Sequence, residues 1–229
     1  MKLFTSDELK ENILVKSLSI GDSGKGKTHF IGSICDHGKP FVIDSESGLL
    51  TIADKKFDGC TVNTFTEFGE AIQYYMANYE EKGYTHLIVD SFTRLQQYLA
   101  VELSPEGKLT QNQWGEVLAK LRKVANFLTK DVPTHVHVTA MAMESKDDLT
   151  GAVKVFPNIQ GSFKYDLAGY FDVVMYHECG EKEGNQVYWV QTQGDERITA
   201  RSRLSSIGDM PKYAPNNYSI ISGLLKKED

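Results

Sequence analysis

Short apolar runs alternate along this chain with longer stretches whose apolar residues recur every three or four positions. The runs at 13–20 (Ile-Leu-Val-Lys-Ser-Leu-Ser-Ile), 40–44 (Pro-Phe-Val-Ile-Asp), 85–90 (Thr-His-Leu-Ile-Val-Asp) and 134–140 (Thr-His-Val-His-Val-Thr-Ala) read as strands. Between them Phe68, Ile72, Met76 and Tyr79 fall on one helical face, with Gly83 as a stop. Trp114, Val117, Leu118, Leu121, Val124, Ala125 and Leu128 form a second stripe. A helix is also expected from Lys27 to about Cys35. Residues 145–165, polar and rich in Gly, Lys and Asp, read as a long loop; 172–176 and 187–192 read as further strands, before a short helix from Tyr218. Strands alternating with helices predict an α/β fold, a mostly parallel sheet with helices on both faces, formed as one domain over 1–229.

The junction between the first strand and the first helix carries the chemistry. Gly21-Asp22-Ser23-Gly24-Lys25-Gly26-Lys27-Thr28 matches G-x-x-x-x-G-K-[ST], and His29 follows it into the helix. Glycines let successive backbone N–H groups turn inward with no Cβ in the way. The helix N-terminus adds partial positive charge beneath an anion. Lys27 supplies a point charge for phosphate oxygens, and the Thr28 hydroxyl a hard oxygen for Mg²⁺. Residues 21–29 are therefore expected to bind a nucleotide, ATP, with Mg²⁺ as cofactor. Asp90, closing the run Leu87-Ile88-Val89, is the expected second magnesium ligand, on a strand next to the phosphate loop. The alternative for it is a helix N-cap. Hydrolysis needs a group to deprotonate water. The position after Asp90 is Ser91, so the base must come from elsewhere. Glu46, just beyond a strand expected to neighbour the first, is the candidate, and Asp44 competes with it.

Bulk properties narrow the setting. The chain has 229 residues and a net charge of −6, which gives no global attraction to nucleic acid but does not exclude a local basic patch. No apolar run approaches the roughly 20 residues that cross a bilayer. The N-terminus has no signal-peptide pattern. Three widely spaced cysteines suit a reducing compartment. The expected location is the cytoplasm, and no membrane partner is expected.

Phe-Val-Ile-Asp44-Ser-Glu46 resembles the strand-end segment of the RecA-type recombinases, and Leu-Ile-Val-Asp90-Ser91 their magnesium strand. Thr199-Ala-Arg201-Ser-Arg203 resembles their basic-x-basic strand, whose cations reach the γ-phosphate of an adjacent protomer. Size and motif order are similar to those of the small phage-encoded RecA-core ATPases linked to single-strand annealing. The resemblance implies a RecA-like fold and Glu46 as the water-activating acid. It also implies single-stranded DNA as a partner, a homo-oligomer with Arg201 and Arg203 acting in trans, and the host cytoplasm as location. The chain departs from the family at 138–143, where a glutamine switch is replaced by Val-Thr-Ala-Met-Ala-Met.

Arg197, Arg201 and Arg203 stand at odd positions and would share a face of one strand. The 145–165 loop offers Lys146, Lys154 and Phe156, cations with an aromatic, as candidate DNA contacts. His135 and His137 share a strand face but lack an evident third metal ligand, and read as buried polar residues. The expected activity is ATP hydrolysis coupled to recombination or annealing. A nucleotide-dependent switch or assembly protein, and a small-molecule kinase, are the alternatives.

Overall fold

The computed structural model describes residues 13–146 and 151–226. In chain order the elements are β1 (Lys16–Ile20), α1 (Lys27–Ile34), β2 (Pro40–Asp44), a 3-10 turn (Leu49–Ile52), β3 (Asp58–Thr61), α2 (Phe65–Lys82), β4 (His86–Asp90), α3 (Phe92–Leu103), α4 (Gln111–Lys130) and β5 (His135–Ala140). There follow β6 (Ala142–Lys146), β7 (Val153–Pro157), α5 (Phe163–Asp166), a 3-10 turn (Leu167–Tyr170), β8 (Val173–Lys182), β9 (Asn185–Gln191), β10 (Arg201–Ser202), β11 (Tyr213–Pro215) and α6 (Ser219–Leu225).

The main sheet runs β11-β9-β8-β1-β5-β4-β2-β3, with β10 beside β8. From β8 to β3 every pairing is parallel, so the C-terminal ends of these strands open on one edge. This order corrects one expectation. β2 does not neighbour β1, and neither does β4, because β5 separates β4 from β1. Parallel crossovers through helices leave strand order free of chain order, and hydrophobic pattern alone does not set it.

Helices cover both faces. Phe68, Ala71 and Tyr75 of α2, Leu95 and Leu99 of α3, and Val117, Leu121 and Leu128 of α4 pack on Leu18, Leu87, Val89, Val136 and Val138 of the sheet. On the other face Phe30, Ile31 and Ile34 of α1 meet Val42, Ile88, Val173 and Met175, together with Tyr218 and Ile221 from the C-terminal segment. The ends of α2 follow from its sequence. Thr64 accepts the Glu67 amide as N-cap, and Gly83 takes the left-handed conformation (φ 69°) that closes the helix. Thr110 and Gln113 form a reciprocal capping box at the start of α4.

The α1 face has a polar middle. His86 stacks on His135 (ring centroids 4.8 Å) and on His137 (5.4 Å), and Tyr218 closes the group edge-on. Ser17 Oγ lies 2.5 Å from His137 Nδ1, and the His135 Nδ1 accepts the Val15 amide. Burial pushes all three imidazoles well toward the neutral form: His86 to about 3, His135 to about 4, and His137 well below its usual value. Among the described residues no His, Cys, Asp and Glu grouping is suited to a metal ion.

The stretch 145–165 corrects a second expectation. Its residues 147–150 lie outside the described residues; of the rest, β6 and β7 pair antiparallel, followed by α5, in place of one long loop. Val155 is buried, and its amide donates to the Arg197 carbonyl (2.8 Å), which anchors the hairpin to the domain.

Candidate active site

Gly21 follows β1 directly, and a Cβ there would lie 3.0 Å from the His177 carbonyl oxygen. Gly24 (φ 74°) and Gly26 (φ 90°) both adopt the left-handed conformation that glycine takes without cost. Gly26 is the N-cap of α1 and brings no side chain to the first-turn amides, which are left for a ligand. A Cβ on Gly26 would collide with Asn216 Nδ2 (2.5 Å) and Tyr188 Cδ1 (2.7 Å). Asn216, only 6% exposed, donates from Nδ2 to the Gly26 carbonyl (2.8 Å). A segment near the C-terminus thus grips the loop from behind.

Lys27 is buried. Its ammonium donates to the carbonyls of Gly21 (2.7 Å) and Asp22 (2.9 Å) and touches Met141 Sδ (3.5 Å). Burial lowers its pKa, while Asp90, Glu46 and Asp22 oppose that shift. One cation therefore lies in the field of all three acids. Asp22, Ser23, Gly24 and His29 are exposed, while Lys25 and Thr28 are half-buried.

Asp90 ends β4 and is 2% exposed. Burial pushes its carboxyl up to about 6, with Glu46 and Asp44 adding to the rise and Thr139 and Lys27 opposing it. Thr139, at the end of the intervening strand β5, donates its hydroxyl to Asp90 Oδ1. Asp90 does not cap the following helix. Ser91 does, accepting the Arg94 amide, so the aspartate keeps its oxygens for another partner. A buried carboxylate and a threonine hydroxyl are hard oxygen donors, and Thr28 Oγ1 faces the 44–48 turn, 3.8 Å from where a Gly48 Cβ would stand. Such a donor set suits Mg²⁺, which Thr28 and Asp90 would hold beside a bound nucleotide.

The two competing acids do different work. Asp44 Oδ1 accepts the amides of Glu46 and Ser47 (both 2.9 Å) and so builds the turn in which Ser47 has φ 57°. Glu46 is left with a side chain free of backbone duty, and its Oε1 accepts the Ser91 hydroxyl. Ser45 Oγ donates to the Asp90 carbonyl (2.9 Å) and accepts the Ser91 amide (2.9 Å), which fastens the ends of β2 and β4 together. Glu46 and Asp90 thereby come to one place, although neither strand adjoins β1.

Other candidates stand apart from this group. Arg201 pairs in β10 with Val174, level with Leu18 and thus short of the loop end of the sheet. Its Nη2 donates to the carbonyls of Ala168 (2.8 Å) and Phe171 (3.1 Å); Arg203 Nη2 donates to Gly169 (2.8 Å). Arg197 pairs with Glu144 instead and does not share their surroundings. Lys146, Lys154, Phe156, Tyr165 and Arg197 border an open groove of about 760 Å³, which Asp195 and Glu196 also line. Lys164 lies over the Tyr165 ring (5.0 Å), and Tyr165 meets Phe156 edge-on (4.9 Å). The root of this hairpin is fixed to the site: the Ala142 amide donates to the Gly21 carbonyl (3.2 Å) and the Met141 amide to Thr93 Oγ1 (3.0 Å).

Thr139, Ser91, Met141, Asn216 and Tyr188 had no assigned role at the level of sequence. Only Ser91 had a usable signal, as a serine opening an apolar-periodic helix.

A family profile described as an AAA domain matches residues 15–204. Asn216 and Tyr218 lie beyond that range. No curated protein matches the chain. Among the described residues no helix is long and apolar enough to cross a membrane. A glycine-rich loop between strand and helix, a buried lysine and two converging acids, on a mostly parallel sheet matched over most of its length, place the chain in the AAA-domain family of P-loop ATPases.

Proposed function

We propose that the protein is a Mg²⁺-dependent ATPase whose hydrolysis is coupled to single-stranded DNA in recombination or annealing, as in the phage-encoded RecA-like group it resembles, and that it acts as a homo-oligomer. The observation that carries the ATPase part is the convergence of Lys27, Asp90 and Glu46. In this reading Lys27 exchanges the Gly21 and Asp22 carbonyls for phosphate oxygens, and the α1 amides hold the remaining negative charge. Thr28 and Asp90 hold the magnesium ion, which supplies charge neutralisation at the terminal phosphates. Glu46, oriented by the Ser91 hydroxyl, accepts the proton of the attacking water as its oxygen bonds to phosphorus.

The DNA part is supported by the hairpin groove. Lys154 and Phe156 share one face of β7, and the hairpin root is bonded to Gly21, so ligand at the loop and ligand at the groove meet through one short connection. The test is ATP turnover with and without single-stranded DNA, at low and moderate salt. DNA is expected to stimulate turnover, and salt to weaken the effect as counterion release lessens. Charge reversal of both Lys146 and Lys154 should remove the stimulation and leave basal turnover in place. A Lys27→Ala chain should lose tight ATP binding by calorimetry. Unchanged turnover with DNA, together with no anisotropy signal at low salt, would reject the DNA part alone.

A further inference from the structure

The surroundings of the phosphate loop are lopsided. On one side, toward β4 and β2, stand the acids Asp90 and Glu46. On the other side, toward β8 and β9, stands an aromatic pair. Tyr188, on β9, lies close enough to Gly26 that a Cβ there would be 2.7 Å from its ring. His29, the residue after the loop threonine, stacks on Tyr188 with centroids 5.7 Å apart and planes inclined by 25°. His29 is exposed, while Tyr188 is half-buried beneath it. Against the β8–β9 ribbon the two rings form a layered aromatic surface at the first turn of α1, beside the Asn216 side chain that holds the Gly26 carbonyl.

This asymmetry orients the ligand. The end that is hydrolysed must face the magnesium and water-activating acids, because a terminal phosphate is what they act on. Phosphates lying along the loop amides then direct the rest of the molecule away from β4 and β2, toward β8 and β9. We infer that His29 and Tyr188 form the nucleobase platform, on which a purine base stacks, and that this pair sets a preference for purine over pyrimidine triphosphates. The inference rests on the nucleotide reading of the loop. It adds which side the base occupies and which side chains receive it. Every base offers a π-face, and a larger ring system overlaps more of the platform, so stacking selects by ring area.

The experiment compares ATP, CTP and inorganic tripolyphosphate by calorimetry on the full chain, for the native protein and for His29→Ala and His29→Phe. The native protein should bind ATP several-fold more tightly than CTP. His29→Ala should weaken ATP about tenfold, the scale of one lost base–ring stack, while tripolyphosphate, which has no base, keeps its affinity. His29→Phe should restore ATP binding, since a ring and not an imidazole proton is what the platform needs. Equal losses for ATP and tripolyphosphate in His29→Ala would mean that His29 supports the loop and not a base, and would overturn the inference. So would unchanged ATP affinity. If the native protein bound neither ATP nor tripolyphosphate, the nucleotide reading itself would fall, an outcome separate from the other two.

Discussion

Glu46 and Asp44 are two residues apart, both carboxylates at a strand end, and burial and hydrogen bonds separate them: Asp44 is buried and Glu46 half-buried. Asp44 is spent on two turn amides, whereas Glu46 meets a hydroxyl on the next strand. Glu46→Gln should therefore bind Mg·ATP nearly as well as the native chain and hydrolyse it about 10²–10⁴ times more slowly, the usual cost of losing a general base. Ser91→Ala should lower kcat by a smaller factor at unchanged nucleotide affinity, because it leaves the base present but unaimed. Single-turnover and equilibrium-binding measurements separate the two variants. A Glu46→Gln chain with native turnover would move the role elsewhere. At this scale the loop was legible in the sequence, because inward-facing amides demand glycine at fixed spacing and phosphate demands the lysine. Thr139 was visible only as the one polar residue of 138–143. Its partner Asp90 is 49 residues away, and nothing local announces the bond. Asn216 and Gly26 are 190 residues apart and illegible for the same reason.

Asn216 belongs to a strap made of β11, the turn at 216–218 and α6. Tyr218 donates its amide to Ser33 Oγ (2.8 Å) and packs on Phe30, so the strap holds α1 at its N-cap, its middle and its last turn. Asn216→Ala removes a buried donor to the carbonyl of the residue that caps α1. It should weaken ATP binding roughly tenfold, as loss of one buried hydrogen bond of about 1–1.5 kcal/mol implies. Tyr218→Phe keeps the packing and should leave ATP affinity alone. If Asn216→Ala melted earlier yet bound ATP normally, the contact would concern stability only. Among the elements, the strands and the two long helices were readable from periodicity. The β6–β7 hairpin was not. Its two strands are only five residues each, Glu144, Ser145 and Lys146 leave β6 without an apolar face, and the buried positions are confined to Val155 and Pro157 of β7. Strand order was unreadable too, since it depends on crossovers that local pattern does not encode.

For the molecule as a whole, the buried histidines make stability depend on acidity. His86, His135, His137 and His177 all have folded-state values below the ordinary 6.5, and burial is the leading cause for each. The unfolded chain therefore binds protons that the folded chain refuses. The histidine contribution is at its full value above about pH 6.5 and falls as the pH drops from there toward 4 and 3, while Asp90, raised to about 6, offsets a smaller part of that loss. At pH 5 a histidine kept neutral by the fold costs about 2 kcal/mol, and neighbouring rings in contact will not add independently. Thermal melts should show Tm nearly flat from pH 7 to 8 and dropping steeply below pH 6. Equal Tm at pH 7.5 and pH 5 would contradict this. Assembly is tested at the same scale. Arg201 and Arg203 hold carbonyls of their own chain, so a trans role requires those bonds to open on association. Mixing an Arg201→Ala/Arg203→Ala chain with a Lys27→Ala chain should restore part of the activity if they act across a boundary. No rescue under conditions of subunit exchange would assign them to the 167–170 turn.

The hairpin also has a mechanical meaning. Each of its strands has five residues, so the arm is about 16 Å long at the usual rise of an extended chain. It is held at its root by the Gly21 carbonyl and by Thr93, and at mid-length by the Val155 amide on the Arg197 carbonyl and by Glu144 on the Arg197 side chain. An arm held at two points along its length is a brace. Through it the Gly21 carbonyl and the Arg197 segment, far apart in sequence, are tied into one mechanical unit.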